Sequence, residues 1–243
     1  MANKLRLGIL LSGGGRTLEN ILEHVAQPSS AVRGSQPGAA GPQGAGSQPG
    51  AAGPQRLAAE VAVVIASRGQ IRGVEIGRAA GIPTHVVRPK EYPSVAAYSD
   101  AMVRILDDSR VDLVCLAGFL AYWIVPERRL GRVMNIHPAL LPAFGGMGMY
   151  GRHVHEAVIG RGCKVSGCTV HFVDNEYDAG PIILQRTVPV YAEDSGEDLA
   201  ARVFTEECIA YPEAIRLFAE GRLRVEGKRV VIDDPRYRRA AGG

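Results

Sequence analysis

Short apolar runs alternate with amphipathic stretches along most of this chain, and that alternation limits the possible folds more than any other feature. The apolar runs have the length of β-strands and lie at residues 5–12, 60–67, 84–88, 111–119 and 132–137. Between them, TLENILEHVA, GVEIGRAAG and SVAAYSDAMVRILDDS carry apolar residues at helical spacing. Continuous apolar runs such as VAVVIA are typical of strands covered on both faces. The pattern predicts an α/β fold with a Rossmann-like, doubly wound, mostly parallel sheet.

The second half of the chain carries a different pattern. A helix is expected over RHVHEAVIGRG, followed by two long β runs at 164–174 and 181–191. The loop between them is too short for a crossover helix, so we expect an antiparallel C-terminal extension of the sheet. A long helix should follow, with Ser195 as its cap, Asp198 at its third position and its end near Gly221. RLRVEGKRVVI then reads as a small hairpin.

One segment departs from ordinary composition. Residues 34–55 contain the decapeptide GSQPGAAGPQ twice and no large apolar side chain. Such a segment cannot bury enough surface to offset the entropy cost of ordering it. We expect a disordered surface insertion, the product of a tandem duplication, rather than a binding element, because loop closure cost grows slowly with length. The rest of the 243 residues should form a single domain.

Charge and composition exclude several classes of function. The net charge is +3 and the Lys and Arg residues are scattered, so we expect no nucleic-acid partner. No apolar stretch approaches the roughly 20 residues of a membrane span, and no signal-peptide cleavage site follows the N-terminal run. The four cysteines form no CxxC pair, and Cys115 and Cys208 lie in apolar runs typical of buried thiols. We expect a soluble cytoplasmic protein.

The segment LLSGGGRTLENI predicts a strand, a glycine turn and the start of a helix. That geometry offers backbone N–H groups and a helix N-terminus to a phosphate. The P-loop pattern GxxxxGK[ST] is absent, and Leu18 stands where a dinucleotide fingerprint needs its third glycine after Gly13 and Gly15. Phosphate binding is therefore favoured over a plain tight turn, and a dinucleotide site is the least favoured interpretation.

Asn135 and His137 stand two residues apart in the strand predicted at 132–137. They share one face of that strand, while Met134 and Ile136 point into packing on the other. The carboxyl end of a strand in an open α/β sheet is where such folds bind ligands. An amide and an imidazole there can hold a carbonyl and stabilise the negative oxygen that forms when it is attacked. The alternative is a core histidine satisfied by a backbone carbonyl.

Asp178 in the loop EYDAGP is the third candidate. Acidic turn residues are usually solvated and structural. A carboxylate beside an imidazole, however, raises the pKa of that imidazole and can pass protons. Together Asn135, His137 and Asp178 suit acyl transfer to an amine without a covalent enzyme intermediate, since no serine or cysteine is visibly paired with the histidine.

A further cluster of His and Cys residues suggests a metal site; its members are His153, His155, Cys163, Cys168 and His171. HxH on a helix points the two rings in different directions, and CxxxxC in a strand fits no common zinc spacing. We therefore expect no metal. His171 shares the strand that leads to Asp178, and it is expected to line the pocket from the side.

Four segments together carry a family resemblance; they are LAGFLAYWIVP, NIHPALLPAF, GCTVHFVDNEYDAGPIILQ and ARVFTEECIAYPEAIRLFAEGRL. They resemble the glycinamide ribonucleotide formyltransferase family, folate-dependent transformylases of purine biosynthesis. The likeness runs from the first strand to about residue 232, interrupted by the repeat. NIHPxLLP alone would suit other users of 10-formyltetrahydrofolate, whereas the combination of segments is much more specific.

The resemblance implies transfer of a formyl group from 10-formyltetrahydrofolate, the co-substrate, to the amine of glycinamide ribonucleotide. It implies the formyltransferase fold, with a nucleotide-binding half at about 1–131 and a catalytic and folate half at about 132–232. Asn135 and His137 would hold the formyl oxygen. Asp178 would keep His137 charged and position a water for proton transfer.

The resemblance also implies the substrate contacts. The substrate phosphate would bind Gly13, Gly14, Gly15, Arg16 and Thr17. Glu207 would contact the ribose. The folate would contact Leu120, Ala121, Tyr122, Trp123, Ile124, Val173, Asp174, Asn175 and Glu176. Pro138 and His171 would line the pocket. The expected partners are these small molecules only, bound by a monomer or a homodimer.

The chain departs from the family in three places. Gly15-Arg16-Thr17 stands where many members have Gly-Ser-Asn, and Arg16 would add charge there. LAYW replaces the common MRIL at the folate wall, and GGMGMYGRHVHEAVIGRG replaces a GLHTH-type segment. The backbone donors of the turn and the three candidate catalytic residues are retained.

Four other functions remain as alternatives. A 10-formyltetrahydrofolate hydrolase would come with an extra N-terminal regulatory domain, and a methionyl-tRNA formyltransferase with a C-terminal RNA-binding domain, neither of which is expected here. A non-catalytic nucleotide-binding module would show no turnover. A dinucleotide oxidoreductase would have to bind a nicotinamide cofactor, and the missing third glycine argues against that.

Overall fold

The computed structural model describes residues 4–25 and 57–238, so the repeat at 34–55 lies outside the described residues. The described strands are Leu5–Leu11 (β1), Ala59–Ala66 (β2), Thr84–Val86 (β3), Leu113–Leu116 (β4), Val133–His137 (β5), Val165–Phe172 (β6), Ile182–Pro189 (β7), Leu223–Glu226 (β8) and Arg229–Ile232 (β9). The α-helices are Arg16–His24 (α1), Arg72–Ala79 (α2), Val95–Asp108 (α3), Arg152–Gly160 (α4) and Gly196–Ala219 (α5).

These strands form one sheet in the order β3-β2-β1-β4-β5-β6-β7-β9-β8. The first five strands are parallel. Strand β6 is antiparallel to both β5 and β7, and β8 is antiparallel to β9. The mostly parallel sheet and its antiparallel C-terminal extension are therefore confirmed. The strand order reverses at β1, which lies between β2 and β4, and such a switch point leaves a crevice at the carboxyl ends of the strands.

Two hydrophobic cores cover the two faces of the sheet. Leu7, Ile9 and Leu11 of β1 pack into one core together with side chains of α1 and α5. Leu10, between them in sequence, points the other way and packs against the α3 side chains, Met102 among them. Alternate residues of one strand thus enter opposite cores, as expected for a strand covered on both faces. This is the physical basis of the continuous apolar runs in the sequence.

Helix α5 is anchored at its start and against the sheet. Ser195 and Asp198 form the predicted capping box. Further along, the Tyr211 hydroxyl lies 3.0 Å from the carbonyl oxygens of both Leu116 and Met134. Because Leu116 ends β4 and Met134 lies in β5, this contact holds α5 against the two strands that lead to the crevice.

The loop that follows β5 is held by one buried hydroxyl. Thr169 of β6 donates to the carbonyl of Ala139 at 2.7 Å and accepts from the N–H of Leu141 at 3.0 Å. The Gln185 amide of β7 donates to Thr169 at 3.0 Å and to the Leu141 carbonyl at 2.9 Å. The antiparallel pair therefore fixes the backbone immediately after His137.

Two sequence expectations differ from the structure. The strand predicted at 111–119 ends at Leu116, because Gly118 adopts a left-handed φ of 70° that turns the chain out of the sheet. Cys115 is fully buried as predicted, but Cys208 is only half-buried, since it lies at the edge of the buried face of α5. In the described part of the chain, no helix is long and apolar enough to cross a membrane.

Candidate active site

A cavity of about 540 Å³ opens at the carboxyl ends of β1, β4 and β5. Its wall includes the glycine turn, the segment after β4, the end of β5 and the loop after β6. The structure thereby brings together residues that sequence reasoning had proposed separately; they are Gly13, Gly14, Gly15, Arg16, Thr17, Leu120, Ala121, Tyr122, Trp123, Asn135, His137, Pro138, His171, Val173, Asp174, Glu176, Asp178 and Glu207.

His137 is 3% exposed and has its ring orientation fixed by the backbone. Its Nε2 donates to the Phe144 carbonyl at 2.8 Å, because a carbonyl can only accept. Its Nδ1 consequently faces Asp178, 3.6 Å from Oδ2. Burial lowers the pKa of His137 by more than the carboxylate of Asp178 raises it.

That pKa corrects one implication of the family resemblance. Asp178 was expected to keep His137 charged, but the shift leaves the imidazole neutral near pH 7 in the free protein. The physical reason is the loss of water around a ring that is almost wholly buried. A carboxylate 3.6 Å away offsets that loss only in part.

Asp178 is held from two sides. Its Oδ2 accepts from the N–H of Gly146 at 2.9 Å, and its Oδ1 lies 3.7 Å from Nε2 of His171. Burial by itself would raise the pKa of Asp178, but contacts with His171, His137 and the Gly146 N–H outweigh burial and lower it. Asp178 is therefore a carboxylate at neutral pH. Its φ of 53° is left-handed, a conformation that Asp and Asn adopt more readily than most residues.

Asn135 is oriented by a histidine across the sheet. The two residues are paired in the β5–β6 register, and the Asn135 Nδ2 donates to His171 Nε2 at 3.2 Å. His171 Nδ1 in turn donates to the Phe172 carbonyl at 2.8 Å, which fixes the ring and leaves Nε2 as the acceptor. One N–H of the Asn135 amide is thereby engaged. The other remains available to a ligand oxygen.

The glycine turn leads directly into α1. Gly15 is the N-cap residue with φ 78°, and no side chain caps the helix. A Cβ at Gly15 would lie 2.7 Å from the Cα of Gly73, so both its backbone angle and its surroundings require glycine. The start of α1, whose N–H groups no side chain caps, forms part of the cavity wall, which is the arrangement that binds a phosphate.

Arg16 adds a positive charge beside this turn. Its guanidinium carbon lies 3.6 Å from the centroid of the Phe204 ring. A guanidinium stacked on an aromatic face keeps its N–H donors in the plane of the group, free for a second partner. Phe204 comes from α5 and also lines the cavity, so α5 positions the side chain of Arg16.

Glu207 lies one helical turn after Phe204 and lines the same part of the cavity. Burial raises the pKa of Glu207 to about 7, and the charge of Arg16 opposes the rise. Close to neutral pH the carboxyl group therefore exchanges readily between its charged and neutral forms. Such a group can accept hydrogen bonds from the hydroxyls of a ligand.

The segment after β4 is hydrogen-bonded to the residue that precedes the glycine turn. The N–H of Leu120 donates to Oγ of Ser12 at 2.8 Å, and Ser12 bonds to Ser67 at 2.7 Å. Ser12 directly precedes the glycine turn. One buried serine thus fixes both the expected phosphate end and the expected folate end of the cavity.

Two of the expected folate residues lie elsewhere. The Asn175 side chain accepts from the Val125 N–H at 2.8 Å and donates to the Val125 carbonyl at 3.1 Å, so it joins two loops and is absent from the cavity wall. The Ile124 N–H donates to Ser99 Oγ at 2.8 Å, and Ile124 lies outside the wall as well. Hydrogen bonds between side chains and backbone, which sequence spacing does not reveal, determine both positions.

The lining residues that sequence reasoning missed include Tyr177, Phe204 and Arg152. Tyr177 adjoins Asp178, and Phe204 precedes Glu207 by three residues, so helical spacing could have indicated the second. His155, considered only as a metal ligand, is 4% exposed and also lines the cavity, whereas His153 is exposed. Among residues 4–25 and 57–238, no three His, Cys, Asp or Glu side chains are placed to hold a metal ion.

The chain is similar to known formyl transferases in sequence and in fold. A family described as formyl transferase matches residues 45–215. The phosphoribosylglycinamide formyltransferase of Escherichia coli (strain K12) is 36% identical over 235 residues, covering 96% of this chain and 95% of that protein. The crystal structure of glycinamide ribonucleotide transformylase 1 from Symbiobacterium toebii superposes with a TM-score of 0.75 at 40% identity, and 96% of each chain is covered.

Longer relatives match as well. The trifunctional purine biosynthetic protein adenosine-3 of Gallus gallus is 35% identical over 225 residues, which cover 92% of this chain but 19% of that protein. The chain therefore spans about one fifth of the length of these trifunctional relatives.

Proposed function

The chain belongs to the formyl transferase family, and from this premise we propose that it transfers a formyl group from 10-formyltetrahydrofolate to the amine of glycinamide ribonucleotide, a step of purine biosynthesis. One observation carries the proposal. Asn135, His137 and Asp178 converge in a single cavity that also contains an uncapped helix N-terminus for a phosphate. An acyl-transfer apparatus and an anion site in one cavity suit a phosphorylated amine acceptor.

In the proposed reaction, the amine nitrogen of the ribonucleotide attacks the formyl carbon and a tetrahedral intermediate forms. The bond from that carbon to N10 of the folate then breaks, and the proton lost by the amine is gained by N10. The free N–H of Asn135 and, once Nδ1 is protonated, the Nδ1–H of His137 stabilise the negative formyl oxygen. No group of the protein is acylated, in agreement with the absence of a nucleophile paired with His137 among the described residues.

His137 and Asp178 handle the proton. Because Nε2 of His137 is bonded to the Phe144 carbonyl, Nδ1 is the nitrogen that exchanges a proton with the substrate. The imidazole is neutral in the free protein, and the negative charge that develops on the formyl oxygen favours its protonation. Asp178, 3.6 Å from Nδ1, stabilises that proton during the reaction. A water that Asp178 positions provides a route for transfer.

The two substrates occupy opposite ends of the cavity. The phosphate lies on the glycine turn with Arg16, and the ribose hydroxyls bond to Glu207. The folate lies between the segment after β4 and the loop 173–178. The proposal takes the nine-stranded sheet as one domain acting in the cytoplasm on these small molecules, as a monomer or a homodimer.

The test is a reaction of the purified chain with glycinamide ribonucleotide and 10-formyltetrahydrofolate, followed by detection of formylated ribonucleotide and deformylated folate. Parallel reactions omit each substrate, and Asp178→Asn serves as the matched inactive variant. Product that depends on both substrates supports the proposal. Deformylation without the ribonucleotide would identify a hydrolase instead, and no reaction at all would leave a non-catalytic binding module.

A further inference from the structure

Strands β1 and β4 are neighbours in the sheet, and the chain leaves each of them towards a different end of the cavity. The Ala117 N–H donates to the Leu10 carbonyl at 2.8 Å, and the Ser12 N–H donates to the Gly118 carbonyl at 3.1 Å. Gly118, with its left-handed φ of 70°, then turns the chain out of the sheet. Among the described residues, backbone pairing between the two chain segments therefore ends at Ser12 and Gly118.

Beyond that point, the side chain of Ser12 continues the contact. Its Oγ accepts from the N–H of Leu120 at 2.8 Å and shares a 2.7 Å hydrogen bond with Oγ of Ser67, the residue that follows β2. The Ser67 N–H donates to the Leu11 carbonyl at 3.1 Å, so the backbone that carries the second hydroxyl is fixed as well. Both serines are buried, and a buried hydroxyl costs free energy unless it is hydrogen-bonded. Both side chains are therefore held in these contacts.

Ser12 lies between the two proposed substrate positions without contacting either. Gly13, the next residue, begins the glycine turn that is proposed to bind the phosphate, and Leu120 lies in the wall that is proposed to bind the folate. Ser12 and Ser67 are themselves absent from the cavity wall. Removal of the Ser12 hydroxyl would thus free the Leu120 N–H from its protein partner and leave every lining group in place.

The proposed reaction makes the spacing of these two parts of the wall important. The amine nitrogen must approach the formyl carbon to about 3–3.5 Å, and a misplacement of about 1 Å can cost about 10²-fold in rate. Each substrate is held mainly by its own part of the wall. The distance between the reacting atoms consequently depends on how firmly the glycine turn and the segment after β4 are joined.

We propose that Ser12 is a positioning residue that sets the spacing between the ribonucleotide and the folate, and that Ser67 orients its hydroxyl. This inference rests on the proposed function, because it assigns one substrate to each part of the wall. The alternative is a serine that only stabilises the end of β1. A spacing role governs the rate of formyl transfer, whereas a purely structural role governs the stability of the fold.

Steady-state kinetics of Ser12→Ala in the complete chain distinguish the two roles. The substitution should lower kcat at least about tenfold, which corresponds to a misplacement of less than about 1 Å. The KM for each substrate should stay near its wild-type value, because every group that lines the cavity is retained. Ser67→Ala, which keeps the Ser12 hydroxyl but removes its partner, should lower kcat by a smaller factor.

Ser99→Ala is the matched control. Ser99 is also a buried serine, and its Oγ accepts from the Ile124 N–H at 2.8 Å, further along the segment after β4. Its hydroxyl donates to the Val95 carbonyl at 2.7 Å, so it joins that segment to α3 and not to the glycine turn. Thermal melts should show comparable losses of stability in Ser12→Ala and Ser99→Ala. The large fall in kcat should be confined to Ser12→Ala.

A binding measurement tests the spacing without turnover. The probe is a stable adduct of the two substrates, in which one carbon joins the amine nitrogen of the ribonucleotide to N10 of the folate. Such a linked ligand gains affinity only when both of its halves are bound at once. In calorimetry it should bind Ser12→Ala at least about tenfold more weakly than the wild type, because of the same misplacement. The ribonucleotide and tetrahydrofolate, measured singly, should bind both proteins equally.

The outcomes separate this inference from the proposed function. Formyl transfer by the wild type with an unchanged kcat in Ser12→Ala, or an equal fall in Ser99→Ala, would overturn the spacing role and leave the function standing. A raised KM for one substrate alone would overturn it too, by assigning Ser12 to that substrate. Conversely, weaker binding of the adduct to Ser12→Ala, when the wild type binds it tightly but transfers no formyl group, would support the spacing role and reject the function. A wild type that binds neither substrate nor the adduct would reject both.

Discussion

His137 Nδ1 lies 3.6 Å from Asp178 Oδ2, and burial dominates the pKa of the first group but not that of the second. Burial dominates at His137 and lowers the pKa of the imidazole. At Asp178 the neighbouring donors and the two histidines outweigh burial and keep the carboxyl group ionised. In the free protein, His137 is therefore neutral and can accept a proton. The negative charge of Asp178 stabilises the ring once it is protonated. That arrangement suits a proton that arrives and leaves within one catalytic cycle.

Replacing the carboxylate should cost activity but not the fold. Asp178→Asn should reduce kcat by about 10² or more, the scale of a positioned acid or base. Asn tolerates the left-handed backbone at this position, so the melting temperature should change little. Steady-state kinetics and a thermal melt measure the two effects together. Near-normal turnover would remove Asp178 from the proton pathway.

The pKa of Glu207 should appear in the pH dependence of ribonucleotide binding. Because this pKa is about 7, the carboxylate form is lost as the pH falls from 8 to 6. The KM for the ribonucleotide should then rise by up to about tenfold over that interval, as a single titrating group allows. Glu207→Gln should have a raised KM at pH 8 and lose this part of the pH dependence. Glu206→Gln, at a residue paired with Arg186, is the control. An identical pH profile in both variants and the wild type would exclude the ribose contact.

Arg16 should contribute charge to phosphate binding. Arg16→Ser removes the guanidinium stacked on Phe204 and should raise the KM for the ribonucleotide about tenfold, the scale of a hydrogen bond to a charged group. The donor KM should stay constant. Arg72→Ser is a matched control, because Arg72 pairs with Glu19 and is absent from the cavity wall. Kinetics at two salt concentrations make the measurement sharper, since screening should weaken the effect of Arg16. Equal KM values for the two variants would show that the backbone donors suffice.

Acid should destabilise the fold through its buried histidines. The pKa values of His137 and His155 are lowered in the folded state, mainly by burial, so folding favours the neutral rings. Their contribution to the free energy of unfolding is fully present when the pH is above their pKa in the unfolded chain, near 6.5. It is lost as the pH falls towards their lower pKa values in the folded protein. The slope per histidine is at most about 1.4 kcal/mol per pH unit.

Urea unfolding at pH 7.5 and pH 5.5 measures this loss. His155→Phe should show a smaller loss of stability between the two pH values than the wild type. His153→Phe, at an exposed position of the same helix, should behave like the wild type. An unchanged pH dependence in His155→Phe would mean that this ring does not contribute.

The repeat at 34–55 should be dispensable. Its composition lacks the apolar side chains that a folded segment needs, so its deletion should alter neither kcat nor the melting temperature appreciably. A shortened chain assayed beside the complete chain provides the comparison. Collapse of either quantity would assign the repeat a structural role.

Much of the fold was determined by the sequence on its own. Strands covered on both faces require continuous apolar runs, and these runs located β1, β2, β4 and β5 to within a few residues. The capping box at Ser195 and the short β6–β7 connection are local features, which neighbouring residues specify. Period-two alternation likewise places Asn135 and His137 on one face of β5 without reference to any tertiary contact.

Only the tertiary structure decided how the site works. Asn135 meets His171 across 36 residues of sequence, and the side chain of Asn175 bonds Val125 instead of lining the cavity. The pairing of Tyr122 with Tyr177 and the lowered pKa of His137 likewise depend on residues that are distant in sequence. Local periodicity specifies which face of an element is buried, but not which distant groups meet there or how much water they lose. Which groups meet and how much water they lose decide the hydrogen-bond partners and the protonation states. Both partners and protonation states therefore follow from tertiary packing.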